Sequence, residues 1–307
     1  MKLLNLQFNF FIFISLGSIS IASNAETSVD TDKKTIADKL YLRFSDTQTN
    51  CGDEGVPALL CSGILIRGTV ASDSYHSWNP SPTAQKLGAV SFSYLRSDIE
   101  ANMLASFHHN GFIFFPYMQT LNDNSAQKYP QILCYFPLDG NTESRSEKGC
   151  GSDSRFPTAS QPCENQGITT SDQWVAQFYN ETKDSDDVWT NDFAQCSFNL
   201  VGQGSATRFA EAIKVHYKMS LNPDMKNLYD QRNNEVLLAV WDQNIPTKLP
   251  LEAFFYQKDG LADAQHDQND YYQVTGKILP IVQFIFSNTS YGHIQFKYNE
   301  SDQLKLN

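Results

Sequence analysis

Short apolar runs of strand length recur along this chain, separated by polar breaks. Leu59–Val70 (LLCSGILIRGTV) is apolar and closes on Arg-Gly-Thr, so it predicts a buried strand that delivers Arg67 to a strand terminus. Ala89–Leu95 (AVSFSYL) alternates: Ser91 and Ser93 share one face of a strand, while Val90, Phe92 and Tyr94 share the other. Gly111–Tyr117, Gln131–Phe136, Glu235–Trp241, Leu251–Tyr256, Ile278–Phe286 and Ile294–Tyr298 are strand-like by their length and their β-branched and aromatic content. Helical spacing marks other segments. Asp98–His109 carries Ile99, Met103, Leu104 and Phe107 behind Asp98 as a cap, and Ser171–Asn180 and Ala206–Met219 also predict helices. Asn79-Pro80-Ser81-Pro82 predicts a loop, and Cys150–Gly167, rich in Ser, Pro and Gly, a stapled one. Helices in the first two thirds and strands throughout give an α+β fold with mixed, mostly antiparallel sheets and flanking helices, not an alternating doubly wound one.

The first residues change the picture of the whole. Lys2 precedes an apolar run from Phe8 to Ile21 that is broken by polar residues and short for a bilayer span, and Ser23-Asn24-Ala25 offers small residues for cleavage; an uncleaved membrane anchor is the rival reading. Residues 1–25 therefore read as a signal peptide and 26–307 as one catalytic domain of a secreted protein, monomeric and free of the membrane after cleavage, with Glu26–Lys33 frayed. The six cysteines, Cys51, Cys61, Cys134, Cys150, Cys163 and Cys196, all follow that segment. An even count in an oxidising compartment implies disulfides, with the pairing left open. No spacing suits zinc, and no metal is expected. A net charge of −11 without basic clusters excludes a nucleic-acid backbone as partner.

Three pieces carry candidate chemistry: a strand-borne arginine, Arg67 in IRGT; the Ser91-Phe92-Ser93 strand; and Glu235 opening the strand EVLLAVW. In order and local type they resemble the Arg–Ser–Glu pattern of toxin-like ADP-ribosyltransferases. The longer phrases CSGILIRGT, YHSWNPSP, GAVSFSYLR and LPLEAFFY resemble the halovibrin family, secreted proteins of marine bacteria that act on NAD. The resemblance implies a disulfide-stapled, ADP-ribosyltransferase-like fold, NAD as substrate with no further cofactor, Glu235, Arg67 and Ser91 as catalytic residues, and an NAD site built from Arg67, Gly68, Thr69, Ser91 and Ser93, to which the aromatic residues Tyr75 and Trp78 are added as stacking candidates. The chemistry has a reason. Breaking the nicotinamide–ribose bond leaves an oxocarbenium-like sugar, which a carboxylate stabilises as charge develops. An arginine fork suits phosphate oxygens, and a serine beside Glu235 would hold its rotamer. Asn233 stands two residues before Glu235, where the transferases carry Gln or Glu to engage an acceptor side chain. That departure favours water as acceptor over a host protein.

Plainer readings exist for each piece. Arg67 serves equally as a strand-end arginine in a surface ion pair, the serines as a solvated strand face, and Glu252 in LEAFFY is a rival carboxylate. Tyr75 and Trp78 are aromatic candidates for stacking a base, while His76 reads as packing. His108 and His109 are adjacent and make a poor metal pair on a helix; His216, His266 and His293 lack ligand-spaced neighbours. Asp263, Asp267 and Asp270 lack the glycine and terminal glutamate of a calcium loop and read as a solvated turn. No G-x-S-x-G, P-loop or G-x-G-x-x-G occurs. The reading from another class is a non-catalytic secreted binding module, a lectin or adhesin.

Overall fold

A strand with apolar side chains on both faces must be covered twice, and the strands of this chain meet that demand by sharing one large sheet. The computed structural model describes residues 35–69, 75–99, 108–114, 131–152, 162–182, 195–222, 233–239, 251–286 and 293–305. In chain order the strands are β1 (Ile64–Gly68), β2 (Ala89–Leu95), β3 (Asn110–Phe114), β4 (Gln131–Phe136), β5 (Phe198–Asn199), β6 (Glu235–Ala239), β7 (Leu251–Tyr256), β8 (Ile281–Phe286) and β9 (Ile294–Tyr298). They form a nine-stranded sheet in the order β5-β4-β6-β2-β1-β3-β7-β8-β9. All neighbours are antiparallel except β7 and β8. The helices are α1 (Ile36–Ser45), α2 (Pro82–Leu87), α3 (Ser171–Thr182), α4 (Ser205–Leu221) and α5 (Leu261–Thr275). The fold is thus α+β around a mixed sheet.

The two faces are covered differently. On one, Leu65, Phe92, Tyr94, Phe112, Val236, Leu238 and Phe254 join Trp174 of α3, Phe209 and Ile213 of α4 and Tyr271 of α5 in a single core. The other face is divided. Ile64, Ile66, Leu95, Ile113 and Phe255 lie against Ile36, Leu40 and Phe44 of α1, whose spacing of four draws one apolar stripe. Ala89, Cys134, Phe136 and Leu237 form a separate small cluster. β2 runs from one cluster to the other, with Ala89 in the second and Leu95 in the first. Its intervening residues on that face, by strand parity, are Ser91 and Ser93. The alternation seen in the sequence therefore marks the gap between two covered halves.

Three disulfides brace the fold: Cys51–Cys61, Cys134–Cys150 and Cys163–Cys196. They fit folding in an oxidising environment. Among the described residues, no helix is long and apolar enough to cross a membrane. Residues 1–25, expected to be a signal peptide, and Glu26–Lys33 lie outside the described residues.

Several expectations need correction. The strand expected over Leu59–Val70 starts only at Ile64, after a 3₁₀ turn at Ala58–Leu60 and the disulfide at Cys61. Pro82, expected in a loop, opens α2: Ser81 caps it by accepting from the Ala84 N–H at 3.3 Å, and proline suits a first helical position. Most of the helix expected over Asp98–His109 falls outside the described residues; Asp98 holds Arg96 at 2.6 Å, and His108 and His109 precede β3 without helical structure. Asp263, Asp267 and Asp270 lie on α5. Asp267 is buried and accepts from Thr69 Oγ1 at 3.1 Å, Asn110 Nδ2 at 3.0 Å and the Ser77 hydroxyl. Its neighbours fix the strand ends beside the cleft described next.

Candidate active site

The gap between the two covered halves is a cleft of about 350 Å³, within the size range of small-molecule sites. Its walls include Arg67, Gly68, Ser91, Ser93, His108, Asp139, Asn141, Thr142, Glu143, Asn233 and Glu235. The cleft exists because β1 and β2 part. They pair at Ile64↔Leu95, Leu65↔Tyr94 and Ile66↔Ser93 and no further, although β1 continues beside β3 to Gly68↔Gly111. In an unbroken ladder the alternation would send Arg67 to the face opposite Glu235. With the ladder ended, the Arg67 guanidinium reaches across the opening and donates to the Ser91 carbonyl at 2.6 Å. A strand carbonyl facing a gap needs a donor, and the arginine supplies it.

Glu235 approaches from β6. The β2–β6 register sets Ser91 against Leu237 and Phe92 against Val236, so Ser91, Ser93 and Glu235 share a face. The preceding residue fixes this end of the strand: the Asn234 side chain accepts from the Tyr94 N–H at 2.7 Å and donates to the Tyr94 carbonyl at 2.8 Å. The buried Glu235 carboxylate accepts from the Gly140 N–H at 3.0 Å and from Thr142 Oγ1 at 2.8 Å. Burial, and then the nearby Asp139 charge, push its pKa up to about 7; Ser91, Thr142 and the Gly140 N–H pull it back. A carboxyl so poised is a frequent mark of a reactive site. Burial lowers the Arg67 pKa, Glu235 and Tyr75 raise it, and a guanidinium stays charged throughout.

The loop that holds Glu235 is itself held. Buried Arg145 donates to the carbonyls of Gly140, Gly151 and Gln195, and the Cys134–Cys150 disulfide closes the segment. Thr142→Val removes one donor to the carboxylate. A hydrogen bond to a charged group contributes roughly 1.5–3 kcal/mol, so the Glu235 pKa should climb by about one to two units. The acidic limb of any activity that needs the ionised carboxyl should move to higher pH by the same amount, which a pH–rate profile measures.

Of the residues expected in the site, Arg67, Gly68, Ser91, Ser93 and Glu235 line the one cleft, and Tyr75 lies close enough to Arg67 to act on its charge. Two are elsewhere. Trp78 is fully buried, stacked on His76 with ring centroids 4.9 Å apart and donating to Asp270 at 2.8 Å, so no base can stack on it. Thr69 is buried and turned to Asp267. The rival Glu252 is an ion-pair partner of Arg43 at 2.6 Å and does not line the cleft. Asn233 does line it. Sequence reasoning passed over Asp139, Gly140, Thr142 and Asn234, and weighed His108 only as half of a poor metal pair. The only local signal for the first three was the turn-forming Asp-Gly-Asn stretch at 139–141. Among the described residues, no three His, Cys, Asp or Glu side chains are grouped to hold a metal ion.

No family model matches the chain, and no curated protein matches its sequence. The halovibrin resemblance rests on the quoted phrases alone.

Proposed function

We propose that this protein is a secreted NAD glycohydrolase with an ADP-ribosyltransferase-like fold and site, which cleaves the nicotinamide–ribose bond to give nicotinamide and ADP-ribose. The observation that carries this reading is the pairing of a buried, hydrogen-bonded carboxylate with an arginine fork in one cleft. Glu235 faces the ribose and stabilises positive charge at its anomeric carbon as the neutral nicotinamide departs. Arg67 holds a phosphate of the dinucleotide. Ser91 and Thr142 keep the carboxylate in place. Water attacks the sugar cation and loses a proton to solvent. Asn233 is too short and too weak a base to orient a protein acceptor as a glutamate would, which favours hydrolysis over transfer to a host protein.

The test is direct. Purified, oxidised protein is incubated with NAD and nicotinamide release is followed. Release with stoichiometric ADP-ribose supports the reading. No release over hours at micromolar protein overturns it in favour of a binding module. Label from NAD entering host-cell proteins would instead favour a transferase. Arg67→Lys keeps the charge but loses the fork. It should raise KM for NAD by about tenfold, the equivalent of roughly 1.4 kcal/mol, with a smaller change in kcat, as steady-state kinetics would show.

A further inference from the structure

His108 is a titratable wall of the cleft that the proposed chemistry does not use. It sits beside Arg67 at the mouth of β1, two residues before β3, and lines the same cavity. Its ring lies flush on the end of β1. A Cβ added to Gly68 would fall 2.6 Å from both Cβ and Cδ2 of His108, so only glycine at 68 lets the imidazole lie there. The His108 backbone carbonyl accepts from Gln257 Nε2 at 2.9 Å, which anchors the residue without engaging its ring. The ring is half-buried. The charged and titratable groups acting on it are Arg67 of β1 and His109 next along the chain; the carboxyls of Glu235, Asp139 and Glu143 occupy the cleft walls as well.

Two basic groups side by side in a cavity, with no carboxylate among the groups acting on the imidazole, are arranged for an anion. We infer that His108 and Arg67 together form the phosphate end of the cleft, with the imidazole taking up a proton as the phosphate oxygens of a nucleoside diphosphate moiety settle against both. This rests on reading the cleft as a dinucleotide site. Burial first, then the Arg67 charge, then His109 hold the free ring below the ordinary histidine value, which disfavours its protonated form before an anion arrives. A bound diphosphate offsets the Arg67 charge and reverses the balance. Binding and turnover then respond to pH in opposite senses: affinity weakens as pH rises, while turnover strengthens as Glu235 ionises.

The experiment uses the full oxidised chain carrying Glu235→Gln, which removes the cleft carboxyl that titrates near neutrality. ADP and inorganic pyrophosphate are titrated in by calorimetry at about pH 6.5 in two buffers of different ionisation enthalpy, which reads protons taken up per ligand bound. Proton uptake with both probes, absent in His108→Asn, is the expected result. ADP affinity should fall about tenfold from acidic to alkaline pH in the parent, stay nearly flat in His108→Asn, and stay flat and tight in His108→Lys. Circular dichroism confirms that the variants fold, and Gly68→Ala, which displaces the ring without altering it, should mimic His108→Asn. Binding without proton uptake, or uptake that survives in His108→Asn, overturns the inference. Nicotinamide release by the unsubstituted protein is measured in parallel. Release without proton uptake sinks only the role of His108; uptake without release sinks only the glycohydrolase reading; neither sinks both.

Discussion

Replacing Glu235 with glutamine should abolish nicotinamide release and, above neutral pH, make the protein more stable. The loss of rate follows from removing a preorganised charge that opposes the developing cation, which commonly costs about a hundredfold to a thousandfold. The gain in stability follows from linkage. The folded pKa of about 7 lies above the ordinary 4.5, so between those values the native state binds a proton that the unfolded chain has released. Glu235 is therefore fully tolerated below about pH 4.5, and stability is lost as pH rises through 7, by on the order of 3 kcal/mol when complete. Glutamine is neutral at every pH. Its oxygen can accept from the Gly140 N–H, and its amide can donate to Thr142 Oγ1, whose hydroxyl turns to accept. The variant should thus melt roughly 7 °C higher than the parent at pH 8 and match it near pH 4. Thermal denaturation at the two pH values, with an NAD assay on the same samples, checks both halves. Near-normal activity would remove Glu235 from the scheme.

The second large effect concerns the disulfides, whose two longer loops should separate stability from activity. Cys163–Cys196 joins residues 33 apart, and constraining a loop of that length in the unfolded chain stabilises by about 4 kcal/mol. The Cys163→Ser, Cys196→Ser double variant should lose roughly 10 °C in Tm and keep its activity below the transition, since neither residue lines the cleft. Cys134–Cys150 closes 16 residues, worth about 3 kcal/mol on the same account. That ring encloses Gly140, Thr142 and Arg145, so the Cys134→Ser, Cys150→Ser variant should lose activity as well as stability, through looser donors around Glu235. Melting curves and kcat for the two double variants give the comparison; equal retention of kcat in both would detach the 139–145 segment from the chemistry.

Much of the scaffold was legible because it depends on local alternation. Leu251–Tyr256 and Ile294–Tyr298 match their strands residue for residue, and the shared face of Ser91 and Ser93 follows from strand parity alone. α1 was not expected, although Ile36, Leu40 and Phe44 mark its buried stripe, and neither was α5, whose sequence is mostly polar and whose Asp267 has its partners far along the chain, at Thr69, Ser77 and Asn110. The site was legible in its parts and not in its assembly. Alternation applied to Arg67 alone would set it on the wrong face; only the parting of β1 and β2, which no local pattern encodes, sends its guanidinium into the cleft. The donors to Glu235 come from a loop nearly a hundred positions away, and a polar turn has no sequence signature for the carboxylate it will meet.

The narrow joint between β1 and β2 has a mechanical consequence. Two blocks of sheet meet there over three paired residues, and the two larger covalent rings, at Cys134–Cys150 and Cys163–Cys196, both belong to the block that holds Glu235. The smaller ring, Cys51–Cys61, lies just before β1 in the other block, so the cleft is a vice with rivets in both jaws and more of them in one. The carboxylate is mounted on the more heavily braced side, where its aim must not wander, and one apolar core backs both sides.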